Sequence, residues 1–185
     1  AKTISLGLVY GMGQKKLAAQ LDIELDEAKE LIKQFHDHVP FVRALMSGVT
    51  RRLNDATASG SIRTLLGRKC RFDMWEPDSF TLNKALPYKE AIAEHGSTTR
   101  LKRAYSYKGL NRLLQGSSAD QTKKSMQLLF EQGVVPLLQV HDELCFSVKN
   151  KEEAQKYAEI MENAVELSLP SRCDVEIGPS WGESH

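Results

Sequence analysis

The sequence predicts an α+β fold in two lobes, a mainly helical lobe over residues 1–104 and a second lobe over residues 105–185. Three observations predict this fold. Apolar side chains recur at intervals of three and four through the first sixty residues, which is typical of helices. Two stretches, 61–72 and 137–148, have the alternating or continuous apolar pattern of short strands. In the second lobe, the order helix, strand, strand, helix, strand indicates a small antiparallel sheet with packed helices.

The first lobe begins with four predicted helices. Residues 1–10 have the pattern of a helix end, and residues 14–21 form a second short helix. Asp26 is predicted to cap the third helix, because a short acidic side chain can accept hydrogen bonds from the first turn. Pro40 ends or redirects that helix, and a fourth is predicted to run from there to about Ala58.

A hairpin and an irregular segment complete the first lobe. The stretch "SIRTLLGRKCRF", residues 61–72, alternates around Gly67 and predicts a β-hairpin. Residues 73–105 contain two prolines and a glycine among mixed signals, so we expect mainly loop there, with one short helix near residues 88–95.

The second lobe is predicted to start with a long helix over residues 105–132. Two strands follow, 137–140 and 144–148, and they meet at a polar tripeptide. An amphipathic helix over residues 151–167 and a last strand over residues 173–177 complete this lobe.

Charge is distributed unevenly, although the net charge is only +1. Residues 41–72 hold seven basic side chains against one acid, and so do residues 100–124, whereas residues 151–185 hold eight acids against three bases. Such blocks are often no more than solvated surface, but two of them in a near-neutral chain favour a polyanionic partner. No apolar run is long enough to span a bilayer, so we expect no membrane partner. Three widely spaced cysteines predict free thiols and a cytoplasmic location.

The stretch "LLQVHDELCFSV" places His141, Asp142 and Glu143 inside an apolar strand pattern. Burial of an unpaired carboxylate costs several kcal/mol, so the two acids are expected to project from a hairpin bend. Adjacent carboxylates repel each other, and a hard cation such as Mg²⁺ relieves that repulsion through oxygen ligands. A polar turn with solvated side chains is the ordinary alternative.

Two helices carry further candidate residues. Lys108, Asn111, Gln115 and Ser118 share one side of the long helix, where amides can donate to minor-groove acceptors that all base pairs present. On the first helix, Lys2, Leu6 and Tyr10 share one face, which would suit a nucleotide. Each pattern alone is more often a surface stripe or a core face with a snorkelling lysine.

Together these stretches resemble the C-terminal part of family A DNA polymerases. "KTISLGLVYGMG" is similar to the end of that family's fingers-helix motif, and "TLLGRKCRF" is similar to its fingers hairpin. "NRLLQGSSAD" resembles the palm-helix motif, "QVHDEL" matches the carboxylate motif, and "VEIGPSWGESH" resembles the C-terminal strand and tail. The resemblance implies fingers over residues 1–104 and distal palm over residues 105–185.

The resemblance also implies a reaction and its residues: template-directed transfer of nucleotides from dNTPs to a primer 3′-OH, with two Mg²⁺ ions. Asp142 and Glu143 would bind metal, and Lys2 would hold the nucleotide phosphates and protonate the leaving pyrophosphate. The incoming nucleotide would contact Lys2, Leu6, Tyr10 and Gly11. Primer–template DNA would contact His141, Gln115, Asn111, Tyr107, Lys108 and Arg112.

Three departures from the family pattern matter. The family's first metal-binding aspartate has no counterpart in these 185 residues. We therefore expect this chain to be inactive alone and to share one Mg²⁺ with an aspartate from an N-terminal polymerase polypeptide that carries the thumb and proximal palm, with or without an exonuclease. Leu6 stands where an aromatic residue is usual, which favours a phage origin and the host cytoplasm. Tyr107 stands where the bacterial enzymes of the family have an arginine.

Two other functions remain open from the sequence. A non-catalytic module could keep the polymerase fold and bind primer–template DNA without the missing aspartate. A metal-dependent nuclease could use the tripeptide at residues 141–143, although it would lack the additional carboxylates such sites need.

Overall fold

The structure, a computed structural model, describes residues 2–55, 59–79 and 84–184, with only the backbone of residues 2 and 3. Two compact units form, Ala1–Leu114 and Gln115–His185. The predicted α+β class is confirmed.

The first unit begins with four helices: α1 (Lys2–Val9), α2 (Gln14–Leu21), α3 (Leu25–His38) and α4 (Pro40–Asn54). Their apolar periodicity predicted them correctly. Residues 56–58, the end of the fourth predicted helix, lie outside the described residues.

The ends of these helices follow local chemistry. Pro40 occupies the first position of α4, where its missing N–H costs no hydrogen bond. The predicted cap at Asp26 is wrong, because Glu24 is the residue before α3 and Asp26 lies in the first turn. There the Asp26 carboxylate pairs with Lys29 Nζ at 2.6 Å and suits the positive end of the helix dipole.

Two apolar clusters hold the first unit together. Leu8, Leu17 and Ala28 are buried together and join α1, α2 and α3. Leu53, Ile62 and Phe72 form the second cluster, which joins α4 to the predicted hairpin. The hairpin is confirmed as antiparallel strands β1 (Ser61–Arg63) and β2 (Lys69–Arg71).

A three-stranded sheet lies where mainly loop was predicted. Strand β3 (Met74–Pro77) pairs with β4 (Leu86–Pro87) on one side and β5 (Leu101–Arg103) on the other. The strands are only two to four residues long and two of them end in proline, so their sequence pattern is weak. The short helix α5 (Tyr88–His95) is where it was predicted.

Side chains across this sheet explain why such short strands are stable. The Arg103 guanidinium carbon lies 4.4 Å from the Trp75 ring centroid, and the rings of Trp75 and Tyr88 meet edge to face at 5.0 Å. Cation–π and aromatic pairs of this kind each contribute about 0.5–1.5 kcal/mol.

Helix α6 (Gly109–Glu131) begins in the first unit and ends in the second, after a 3₁₀ turn at Ser106–Lys108. The second unit continues with strands β6 (Leu138–Val140) and β7 (Glu143–Cys145), and then with helix α7 (Lys151–Glu162). Helix α7 is shorter than predicted.

The predicted strand at residues 173–177 does not form. A strand needs a neighbour, and among the described residues of this unit β6 and β7 pair with each other. The Cys173 N–H instead donates to Glu162 Oε1 at 2.9 Å, so a side chain satisfies it. Through the described ranges, no helix combines the length and apolar character of a membrane span.

Candidate active site

The β6–β7 hairpin positions the polar tripeptide. Val140 and Glu143 are its last paired residues, so the turn consists of His141 and Asp142. His141 has φ +53°, and a positive φ at this position is typical of two-residue hairpin turns, although non-glycine residues adopt it uncommonly. The turn therefore presents two exposed side chains at the tip of the hairpin.

The two carboxylates have different surroundings. Asp142 is exposed, and among the residues that the structure describes nothing donates a hydrogen bond to it or pairs with its charge. Glu143 is half-buried and lies in β7 rather than in the turn, which corrects its expected place at the bend. Its Oε1 accepts hydrogen bonds from Trp181 Nε1 at 2.9 Å and from Cys145 Sγ at 3.3 Å.

Cys145 is a hydrogen-bond donor because its thiol stays protonated. Burial and the neighbouring Glu143 carboxylate both raise the pKa of the Cys145 thiol, since each disfavours a thiolate. This cysteine therefore supports the Glu143 carboxylate and is not an activated nucleophile.

The donor set suits part of a magnesium site. Carboxylate oxygens are the ligands that Mg²⁺ prefers, and it commonly takes only one or two of them from the protein. No group of three acidic, histidine or cysteine ligands converges anywhere in the described ranges. Asp142 and Glu143 supply two carboxylates of the kind that Mg²⁺ accepts.

The α6 candidates divide into two groups. Asn111 and Gln115 are one turn apart on the same side of the helix, and Gln115 is exposed. No partner within the described chain reaches the buried Oδ1 of Asn111. Arg112 is exposed, and its guanidinium lies 5.1 Å from the Phe72 ring and 3.8 Å from Cys70 Sγ.

Lys108 and Tyr107 lie just before α6, and both are exposed. The Lys108 ammonium is 5.1 Å from the Tyr105 ring and 5.6 Å from the Tyr107 ring. An exposed cation held over aromatic faces is well placed to meet a phosphate.

The first helix borders an open groove of about 830 Å³. Leu6 and Tyr10 both line this groove, and α2 adds three residues that the sequence analysis did not single out: Lys16, Ala19 and Gln20. Gly11, two residues after the end of α1, has φ +81°, a backbone conformation that favours glycine. The side chain of Lys2 lies outside the described residues.

Comparison with known proteins agrees with these observations. DNA polymerase family A matches residues 1–183. The DNA-directed DNA polymerase of Pseudomonas phage M6 is 35% identical over all of this chain and 29% of its own length. The thermostable DNA polymerase I of Thermus aquaticus is 32% identical over 98% of this chain and 20% of its own length.

A solved structure agrees as well. The POL domain of Pol1 from M. smegmatis, in complex with DNA primer-template and dNTP, aligns with a TM-score of 0.72 and 31% identity. The alignment covers 99% of this chain and 30% of that one. The chain therefore spans less than a third of the relatives it matches, and it belongs to DNA polymerase family A.

Proposed function

We propose that this chain forms the fingers and distal palm of a DNA-directed DNA polymerase that extends a primer from dNTPs. The observation that carries the proposal is the Asp142 side chain, which is exposed at a hairpin tip and has no partner among the described residues. A carboxylate placed in this way can hold a divalent cation next to a primer end. The fingers would span residues 1–104 and the distal palm residues 105–185.

The reaction would be nucleotidyl transfer. The primer 3′-hydroxyl loses its proton to water, its oxygen bonds to the α-phosphorus of the dNTP, and the bond from that phosphorus to the pyrophosphate oxygen breaks. Asp142 would hold magnesium with help from Glu143, and Lys2 would bind the phosphates and donate a proton to the departing pyrophosphate. When bound, a pair of Mg²⁺ ions stabilises charge on the attacking and leaving oxygens.

Other residues would orient the substrates. The groove along α1 would receive the nucleotide, with Leu6 beside the sugar and Tyr10 and Gly11 near the templating base. Asn111 and Gln115 would donate to minor-groove acceptors without sequence preference, and His141 would contact the primer end. For Lys108, Arg112 and Tyr107, we propose contacts to the DNA backbone.

One ligand of the magnesium pair would come from an aspartate outside these 185 residues. The second candidate function is a primer–template-binding module that keeps the fold without catalysis.

Primer extension tests the proposal. We expect the polymerase that contains this chain, together with the residues that supply the first aspartate, to extend a primer with dNTPs and Mg²⁺. Asp142→Asn should lower the rate at least about 100-fold, the scale expected when a charge-stabilising group is lost. Asp174→Asn, another exposed aspartate of the same unit, is the matched control and should retain the rate.

Each competing function predicts a different result. Salt-sensitive DNA binding with no extension, even when the first aspartate is supplied, would favour the non-catalytic module. Cleavage of DNA without dNTPs would favour the nuclease. The 185-residue chain alone should bind primer–template DNA and extend nothing.

A further inference from the structure

The C-terminal tail folds into a compact turn around Trp181. The Glu183 N–H donates to the Ser180 carbonyl at 3.1 Å, and the Ser184 hydroxyl donates to the Trp181 carbonyl at 2.9 Å. Gly178 lies against this turn, and a Cβ there would come within 2.7 Å of the Glu183 carbonyl oxygen. The turn therefore depends on a residue without a side chain at position 178.

This turn brings the Trp181 indole to the hairpin. Its N–H donates to Glu143 Oε1 at 2.9 Å, a bond between residues 38 positions apart in the chain. Cys145 Sγ donates to the same oxygen at 3.3 Å, so two donors converge on one oxygen of the carboxylate. The indole N–H can only donate, so its direction fixes where that oxygen must lie.

Packing alone does not account for the contact. Trp181 is 52% exposed, so water could satisfy its indole N–H just as well. A glutamate that lies in a strand and extends towards solvent ordinarily samples several rotamers, and hydrogen bonds to Oε1 restrict that freedom. Fixed carboxylates are better ligands, because their orientation does not have to be restricted when the metal binds.

We propose that Trp181 is a positioning residue that orients the Glu143 carboxylate for the divalent cation at the hairpin. This inference rests on the proposed function, which assigns metal binding to Asp142 and Glu143. Cys145 supports the same oxygen from within β7. The tail thereby becomes part of the catalytic palm through one hydrogen bond.

A Mn²⁺ titration tests the proposal without a measurement of turnover. The electron paramagnetic resonance signal of free Mn²⁺ shows how much of the ion is bound. The experiment uses the full-length protein with primer–template DNA, and the binding that Asp142→Ala removes defines the site. Trp181→Phe keeps an aromatic ring and removes the donor, and it should weaken Mn²⁺ binding at this site about 10-fold. Trp75→Phe, the other tryptophan, is the matched control and should leave the affinity unchanged.

A double-mutant cycle separates positioning from general loss of structure. Once Glu143→Gln is present, Trp181→Phe should have no further effect on Mn²⁺ affinity. Gly178→Ala is the second variant: it retains the indole, displaces the turn, and should weaken binding in the same direction. Unaltered affinity in Trp181→Phe, or equal losses with and without Glu143→Gln, would overturn the inference.

The two proposals fail in different ways. If Asp142→Ala removes no bound Mn²⁺, the proposed metal site itself is wrong. If Asp142→Ala removes it and Trp181→Phe changes nothing, only the role of Trp181 is wrong.

Discussion

Leu6 and Leu8 are two residues apart on α1 and have opposite surroundings. Leu8 is 7% exposed and is buried with Leu17 and Ala28, whereas Leu6 is 45% exposed and lines the groove. Helical geometry separates positions two residues apart by more than half a turn, so one helix contributes to the core and to the candidate nucleotide site.

Alanine at each position should therefore have a different effect. We expect Leu8→Ala to lower the free energy of unfolding by about 2–4 kcal/mol, because it leaves a cavity in a small core. Leu6→Ala should change stability by less than about 1 kcal/mol and should raise the KM for dNTPs. Urea unfolding and steady-state incorporation measure the two effects. Equal stability losses, or an unchanged KM in Leu6→Ala, would contradict this division.

Gly60 and Gly67 both have positive φ, and they differ in what a side chain would meet. At Gly60, a Cβ would clash with the Arg103 guanidinium, whereas at Gly67 it would meet no heavy atom of the described residues within 4 Å, its chain neighbours aside. The Arg103 guanidinium lies over the Trp75 ring and donates a hydrogen bond to the Phe72 carbonyl at 3.0 Å.

Alanine should cost about 1–2 kcal/mol at Gly67, from backbone strain alone. Gly60→Ala should cost about 1–2 kcal/mol more, because the arginine loses its ring contact and its hydrogen bond as well. Denaturant unfolding measures the difference, and Trp75 fluorescence in a Trp181→Phe background should change only in Gly60→Ala. Equal costs at the two glycines would show that Arg103 moves aside freely.

How much of the fold could be predicted depended on the length of each pattern. Helices such as α3 and α4 repeat their apolar spacing over three or more turns, so the signal is strong. Strand β4 has two residues and ends at Pro87, and residues 78–85 separate it from its partner β3, so local sequence carries almost no sign of it. The absent strand at 173–177 shows the converse, because an alternating pattern forms no strand without a neighbour to pair with.

The part of the candidate site that neighbouring residues form could be predicted from the sequence. The hairpin tip at His141 and Asp142 follows from polar residues between two apolar runs. The bond from Trp181 to Glu143 joins a tail to a strand, and no spacing rule connects them. Lys16 and Gln20 reach the groove from a second helix, so only the packing of α1 against α2 shows their position.

Lys108 and Gln115 should affect DNA binding differently. A lysine that meets a phosphate releases a counterion on binding, so Lys108→Ala should weaken binding and reduce the slope of log affinity against log salt by about 1. Gln115→Ala removes only a base-edge hydrogen bond and should weaken binding about 5-fold with no change in slope. Fluorescence anisotropy of labelled primer–template at several salt concentrations measures both quantities.

Lys156→Ala on α7 is the control for that experiment, since it also removes an exposed lysine. Its affinity and slope should match those of the unmodified protein. A slope change in Gln115→Ala, or none in Lys108→Ala, would contradict the assigned contacts.

Glu153 lies at the centre of the hydrogen bonds that begin α7. Its carboxylate accepts from the Lys149 N–H at 2.7 Å and from the Tyr157 hydroxyl at 2.9 Å, and its own N–H donates to Asn150 Oδ1 at 2.9 Å. The hydrogen bond from the Lys149 N–H has the largest effect on the pKa of Glu153, and that from the Tyr157 hydroxyl is second. Both lower this pKa, because they stabilise the charged carboxylate. The capping arrangement is therefore strongest when Glu153 is ionised.

Stability should depend on pH in the direction that this shift requires. A carboxyl whose pKa is lowered by folding contributes stability above its unfolded pKa, about 4.3, and loses that contribution as pH falls through the lower folded value. Glu153→Gln should thus lower the melting temperature at pH 7, and the difference from the unmodified protein should shrink below about pH 4. Glu152→Gln removes a carboxylate from the same helical turn without touching the hydrogen bonds of Glu153, so it is the matched control variant. Calorimetry between pH 3 and pH 8 keeps Tyr157 neutral, and a gap that persists at pH 3 would show that the carboxylate charge is not what stabilises the start of α7.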